Sequence, residues 1–128
     1  GQGLLFNSLP TPVRLLDTRP GELGCFTPGA KMIGGTTYTQ PATGACLNIP
    51  ATAKAVVGNA TVVNVTADGY LTFWPSNAAQ PLVATSNFLT GQIFNRHFTV
   101  GLGVDGAFKR FSFSTTDLVI DLSGYFAP

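Results

Sequence analysis

His97 is the one histidine in a chain of 128 residues, which makes it the first residue to test for acid–base chemistry. A Ser-His-Asp arrangement needs a nucleophile at a marked local position, and no nucleophile-elbow string or comparable signature occurs. On the strand expected around it, Phe94, Phe98, Val100 and Leu102 share one face, interrupted by Arg96. His97 therefore points away from them, beside Asn95 and Thr99, and reads as a solvent-facing or interface histidine. No catalytic residue is assigned, and an enzyme is the least expected class. The carboxylates are Asp17, Glu22, Asp68, Asp105, Asp117 and Asp121. Asp68 and Asp105 each precede a glycine and are accounted for by turns. Asp117 and Asp121 are separated by about 13 Å along a strand, too far for a retaining pair and beyond the usual inverting distance. Arg14, Asp17 and Arg19 lie on a strand with alternating faces, Asp17 and Arg19 on the same one. A structural ion pair of Asp17 with Arg19, extended to Asp121, is the expected reading. No acidic group has coordination spacing, so neither a metal nor another cofactor is assigned.

Cys25 and Cys46 lie 21 positions apart, without a CxxC string or a histidine cluster, which argues against zinc. A disulfide is expected, with two buried thiols as the alternative; closing this loop would stabilise the fold by about 3 kcal/mol. Tyr70, Thr72 and Trp74 share one strand face, and Leu71 and Phe73 the other. If Leu71 and Phe73 face the core, Tyr70 and Trp74 form an exposed aromatic platform for a sugar face or a protein partner, ordinary core packing being the alternative. Phe108, Phe111 and Phe113 around Lys109-Arg110 carry the same ambiguity. Charged residues are only 10% of the chain and the net charge is +1. Two adjacent basic residues on so neutral a chain do not make a nucleic-acid surface, and no nucleic-acid partner is expected. Asn59-Ala60-Thr61 and Asn64-Val65-Thr66 match the N-glycosylation pattern but fall in the strand expected to be most buried, so they read as strand residues.

The elements that position these residues are strands. Thr outnumbers all 13 formally charged side chains, whereas Glu22 and Met32 are the only residues of their types. That composition lacks helix-building surface residues and supplies β-branched bulk. Pro10 and Pro12 interrupt an extended N-terminal arm, residues 1–12, ahead of a single β-domain over 13–128. A short strand covers Val13 to Arg19, and Pro20-Gly21 ends it. Residues 20–50 are loop-rich, with Pro28-Gly29, Gly34-Gly35, Pro41 and Gly44 and one strand at Thr36–Thr39. Ala55 to Thr66 is apolar on both faces and predicts a central strand buried on both sides. Asp68-Gly69 predicts a two-residue hairpin into Tyr70–Trp74. Asp105-Gly106 predicts a second, joining Phe94–Leu102 to Phe108–Ser114. Leu118–Leu122 is the last strand, and Ser123-Gly124-Tyr125-Phe126 closes the chain. Short strands at roughly ten-residue intervals predict an all-β, antiparallel β-sandwich, with a β-trefoil or closed barrel as the alternative. No run of about 18 apolar residues is present, so no membrane span is expected.

Four strings resemble, in order, a β-domain family of secreted bacterial proteins. Pro12-Val13-Arg14-Leu15-Leu16-Asp17-Thr18-Arg19 is similar to its opening. Cys46-Leu47-Asn48-Ile49-Pro50 with Ala53-Lys54-Ala55-Val56 is similar to its cysteine, isoleucine-proline and first long strand. Ser86-Asn87-Phe88 with Gly91-Gln92 and Asn95 is similar to its middle motif. Thr115-Thr116-Asp117-Leu118-Val119-Ile120-Asp121-Leu122-Ser123-Gly124-Tyr125-Phe126 is similar to its ending. The resemblance covers residues 10–126 and departs from the pattern where Arg96-His97 follow Asn95 in place of a small apolar residue. It implies an extracytoplasmic β-rich module, often one unit of a larger surface or secreted protein, and no particular reaction.

A secreted or cell-surface location is therefore expected, with a start at Gly1 that suits a cleaved signal peptide. The expected function is a non-catalytic structural module that self-assembles into a surface layer, filament or matrix. Sparse charge does little to keep copies apart, and Leu4, Leu5 and Phe6 on the arm could pack on a neighbour or complete its sheet edge. A module expected to stand alone favours a subunit of a homo-oligomer or homopolymer over a mere repeat. The alternative is a carbohydrate-binding or adhesive module that takes a polysaccharide on Tyr70 and Trp74.

Overall fold

Threonine and valine suit a pleated, half-buried backbone, and among the described residues eight strands form. The computed structural model describes residues 3–26 and 30–128. Gly1-Gln2 and the expected loop signal at Pro28-Gly29 lie outside the described residues. The strands are β1 (Leu5–Asp17), β2 (Thr37–Pro41), β3 (Ala55–Val63), β4 (Gly69–Pro75), β5 (Ser86–Phe88), β6 (Phe94–Gly101), β7 (Ala107–Ser112) and β8 (Asp117–Ala127). They form two four-stranded antiparallel sheets, ordered β1-β8-β3-β6 and β2-β7-β4-β5. The sheets do not close on each other, so the fold is a β-sandwich rather than a barrel or trefoil.

The core lies between the sheets. Val56, Ala60, Leu118, Ile120 and Leu122 point inward from the first sheet, and Leu71, Phe73, Phe88 and Phe108 from the second. Phe73 ties the layers together, with its ring edge-on to Phe98 at 4.9 Å and tilted on Phe108 at 5.2 Å.

Several expectations change at this level. β3 is central in its sheet, but it alternates between buried and half-buried positions, so only one face enters the core. Its outward valines had made both faces look buried. The residues assigned to an N-terminal arm are largely strand: from Leu5 onward they belong to β1 and pair with β8, Leu5 opposite Ala127 and Ser8 opposite Gly124. Neither Asp-Gly pair makes a hairpin. β3 and β4 lie in different sheets, as do β6 and β7, so both connections cross the sandwich. At the second crossing the chain still turns tightly, with the Gly106 amide donating to the Gly103 carbonyl and Gly106 at φ +73°. The strand that follows simply joins the opposite layer.

The long connection from β1 to β3 is pinned at three places. The Cys25 amide donates to the Arg14 carbonyl, which lays the loop beside β1. Met32 forms a bridge with Thr116. Cys25 and Cys46 are joined by a disulfide, as expected, at the short 3₁₀ turn Ala45–Leu47.

Candidate functional site

The densest polar chemistry lies where the start of the chain meets its end. β1 carries a register irregularity between Arg14 and Leu16. It breaks strict alternation, so Leu15 and Leu16 are both buried and Arg14 reaches the same side as Asp17. Asp17 has no exposed surface; it accepts from Arg14 at 2.9 Å and from Arg19 at 2.7 Å. Arg14 also bonds Asp121 through Nε at 2.8 Å. The charges therefore alternate along Arg19, Asp17, Arg14 and Asp121. Asp121 does belong with the expected ion pair, but Arg14 makes the link. The hydrogen bond from Arg19, together with the two positive charges, holds the Asp17 carboxyl below its ordinary value. The same pairing raises both arginines, Arg14 chiefly through its bond to Asp121.

At the first position of β8, immediately before its apolar run, Asp117 forms a second buried centre. Its Oδ1 accepts from the Thr18 hydroxyl at 2.8 Å, and its Oδ2 from Asn64 at 2.8 Å and Lys31 at 3.0 Å. Burial alone would raise this carboxyl, but the three donors outweigh it and hold it below the usual range. Thr18 in turn accepts from the Leu118 amide at 2.8 Å. Asn64, at φ 56°, adopts the left-handed conformation that aims its amide at Asp117. The opening and closing strings quoted above are thus two halves of one polar lock.

The outward face of the first sheet carries a second feature that sequence spacing could not reveal. Arg14 stands opposite Asp121, Asp121 opposite Asn59, and Asn59 opposite His97. One polar row crosses all four strands. Beside it, β8 carries an irregularity opposite Val57 and Gly58, and β1 departs from register between Ser8 and Val13. These leave a depression of about 230 Å³ lined by Pro12, Gly58, Asn59, His97, Asp121 and Ser123. His97 is exposed at its rim, as expected. The groups needed for a nucleophilic triad are committed elsewhere. The Ser123 hydroxyl donates to the Val57 carbonyl at 3.3 Å, and Asp121 is held by Arg14. Asn59 Oδ1 is shielded from solvent and takes no hydrogen bond among the described residues.

The aromatic platform does not form as expected. Trp74 is only 5% exposed, although it lies outside the main core cluster. The β4–β5 connection runs along that face, where Gln80, Pro81 and Leu82 enclose a groove of about 570 Å³ with Tyr70, Thr72 and Asn87. Outward orientation of a strand residue therefore does not by itself expose it. Tyr70 is half-buried, and its exposed-side partners are Phe113, stacked at 5.4 Å, and Phe111 at 5.9 Å. Phe108 belongs to the core, which resolves the ambiguity of that phenylalanine group residue by residue.

Arg110 is the residue that sequence patterning handled least well. It shares the inward face of β7 with Phe108 and Ser112 and is 8% exposed. Its Nε donates to Gln40 at 3.1 Å and its guanidinium lies 4.6 Å from the Tyr38 ring centroid. Among the described residues Nη1 has no partner and no carboxylate pairs with it. Burial pushes the guanidinium down to about 10.

Leu4, Leu5 and Phe6 are 47%, 66% and 51% exposed at the start of the edge strand β1. Phe6 packs on Phe126 at 5.3 Å, and its ring lies so close to Gly124 that a β-carbon there would clash. No helix is long and apolar enough to cross a membrane among the described residues. In comparisons with known proteins, no family model, curated protein or solved structure matches the chain.

Proposed function

We propose that this domain is a non-catalytic extracytoplasmic structural module that self-associates, through the open edge of its first sheet, into a surface layer, filament or matrix. The observation that carries this reading is the contrast among the four sheet edges. β5 is only three residues long, and β2 is five and ends in Pro41. β6 presents Asn95, Arg96, His97 and Thr99 to solvent. Short strands, proline and charge all discourage edge pairing. β1 has none of these guards over Leu5–Ser8, ahead of Pro10 and Pro12; of its exposed side chains there Leu5 and Phe6 are apolar and Ser8 is uncharged. A second copy is the natural occupant, since an antiparallel strand meeting its own copy about a twofold axis is self-complementary. The disulfide and the resemblance to secreted bacterial β-domains support the extracytoplasmic part.

Sedimentation velocity across a concentration series tests the reading. The wild-type chain is expected to shift to larger species as concentration rises, and a Leu5→Lys variant of unchanged circular dichroism to remain a monomer. A wild-type chain that stays monomeric at high concentration overturns it.

A second reading, a carbohydrate-binding or adhesive module, is favoured by one observation: Tyr70 lines a groove with the amides of Gln80 and Asn87. An aromatic ring flanked by amides suits a sugar ring and its hydroxyls. Binding to an insoluble polysaccharide that survives Tyr70→Ala would eliminate it.

A further inference from the structure

The depression at His97 brings Asn59, His97, Asp121 and Ser123 together on the outward face of the first sheet. It lies on the sheet opposite to Tyr70 and is independent of the assembly reading. Two irregularities on neighbouring strands open it, and such irregularities re-aim side chains at functional sites. Its polar groups are rich in acceptors. The Asp121 carboxylate only accepts, and its orientation is fixed by Arg14, itself held by Asp17. The Ser123 proton is spent on the Val57 carbonyl, which leaves the oxygen lone pairs free. The His97 imidazole carries two ring nitrogens that can take part in hydrogen bonds. Asn59, between His97 and Asp121 in the row, holds an acceptor with no donor. A buried polar atom left without a partner carries a free-energy cost that a supplied donor relieves.

The chemistry of the row selects among ligand classes. A metal cation would approach the positive charge of Arg14, and a free cation would find Asp121 already neutralised. An anion would face the Asp121 carboxylate. A neutral polyol meets neither repulsion, can donate to Asp121, and can exchange bonds with His97 and the Asn59 amide. Pro12 supplies an apolar wall, and the volume of about 230 Å³ suits one small ring rather than an extended ligand. We infer that this pocket binds a single neutral hydroxylated ring, a pyranose residue, through Asn59, His97 and Asp121.

The test is a heteronuclear NMR titration with methyl glycosides of glucose, galactose and mannose and with N-acetylglucosamine. It uses the Leu5→Lys variant at low concentration, so that self-association does not enter. At least one sugar is expected to shift the Asn59 amide and His97 imidazole resonances with a dissociation constant of about 1 mM, typical of a small site. Asn59→Ala is expected to weaken that binding about tenfold, the value of one well-placed hydrogen bond. If that variant misfolds, His97→Ala on the exposed edge strand serves the same purpose. Three outcomes overturn the inference: no sugar shifts these resonances, the shifts centre on the Tyr70 groove, or methylammonium produces the same shifts with a dependence on salt.

Discussion

Asp17 and Arg110 are both withdrawn from solvent, one on each sheet, and their surroundings are opposite. Asp17 meets two arginines, and its neighbour Asp117 collects three donors. Arg110 meets an amide oxygen and an aromatic face, and no carboxylate among the described residues. A buried charge is tolerable when countercharge and hydrogen bonds replace its lost water; without them it subtracts from stability. The β1–β8 junction is therefore a stabilising lock, while Arg110 is a local liability offset by the core around it.

The largest effect should come from breaking the lock. Asp117→Ala strands Thr18 and Asn64 and leaves Lys31 without its anion, and should lower unfolding stability by about 4 kcal/mol in urea titration. An effect no larger than that of a surface pair would mean that the junction is not a lock. The disulfide tethers the loop that carries Lys31 and Met32 to the same junction. Replacing Cys25 and Cys46 together by alanine should cost about 3 kcal/mol in the same titration. The second sheet should respond with the opposite sign. Arg110→Met with Gln40→Leu removes the unpaired cation together with the oxygen that would otherwise lose its donor. Stability should rise by about 1–2 kcal/mol, and a fall would show that the guanidinium has a compensating partner.

Titration sharpens the comparison further. Asp17 and Asp117 lie below the ordinary carboxylate value of 3.8 when folded. On acidification the unfolded chain takes up protons first, so stability should hold from pH 7 to about 5 and then decline. The loss continues until pH passes below the depressed native values, and in Asp17→Asn this acid limb should be shallower. Arg110 works in the other direction. Its folded value of about 10 lies below its ordinary value of 12.5, so its penalty eases as pH rises from the first to the second. Thermal melts across both ranges check the two signs.

Much of the architecture was legible because it rests on composition and period. Thr and Val marked the strands, Leu118 to Leu122 read correctly as strand, and Cys25 and Cys46 paired as their isolation suggested. What escaped depends on partners distant in sequence. Asp68-Gly69 and Asp105-Gly106 report that the chain bends, whereas the sheet that receives the next strand depends on which apolar face needs cover. Trp74 was misplaced because alternation says which way a side chain points and nothing of how deeply it is buried. Arg14 joined Asp17 through an irregularity that resets the alternation. The row from Arg14 to His97 is set by cross-strand register, which four separate strings do not encode individually.

The proposal that copies meet at the edge of β1 is tested most directly by hydrogen exchange measured at several protein concentrations. The expected result is that amides of Leu5–Ser8 gain protection as concentration rises, while those of β6, at the opposite edge of the same sheet, do not change. Exchange at Leu5–Ser8 that is independent of concentration would contradict it.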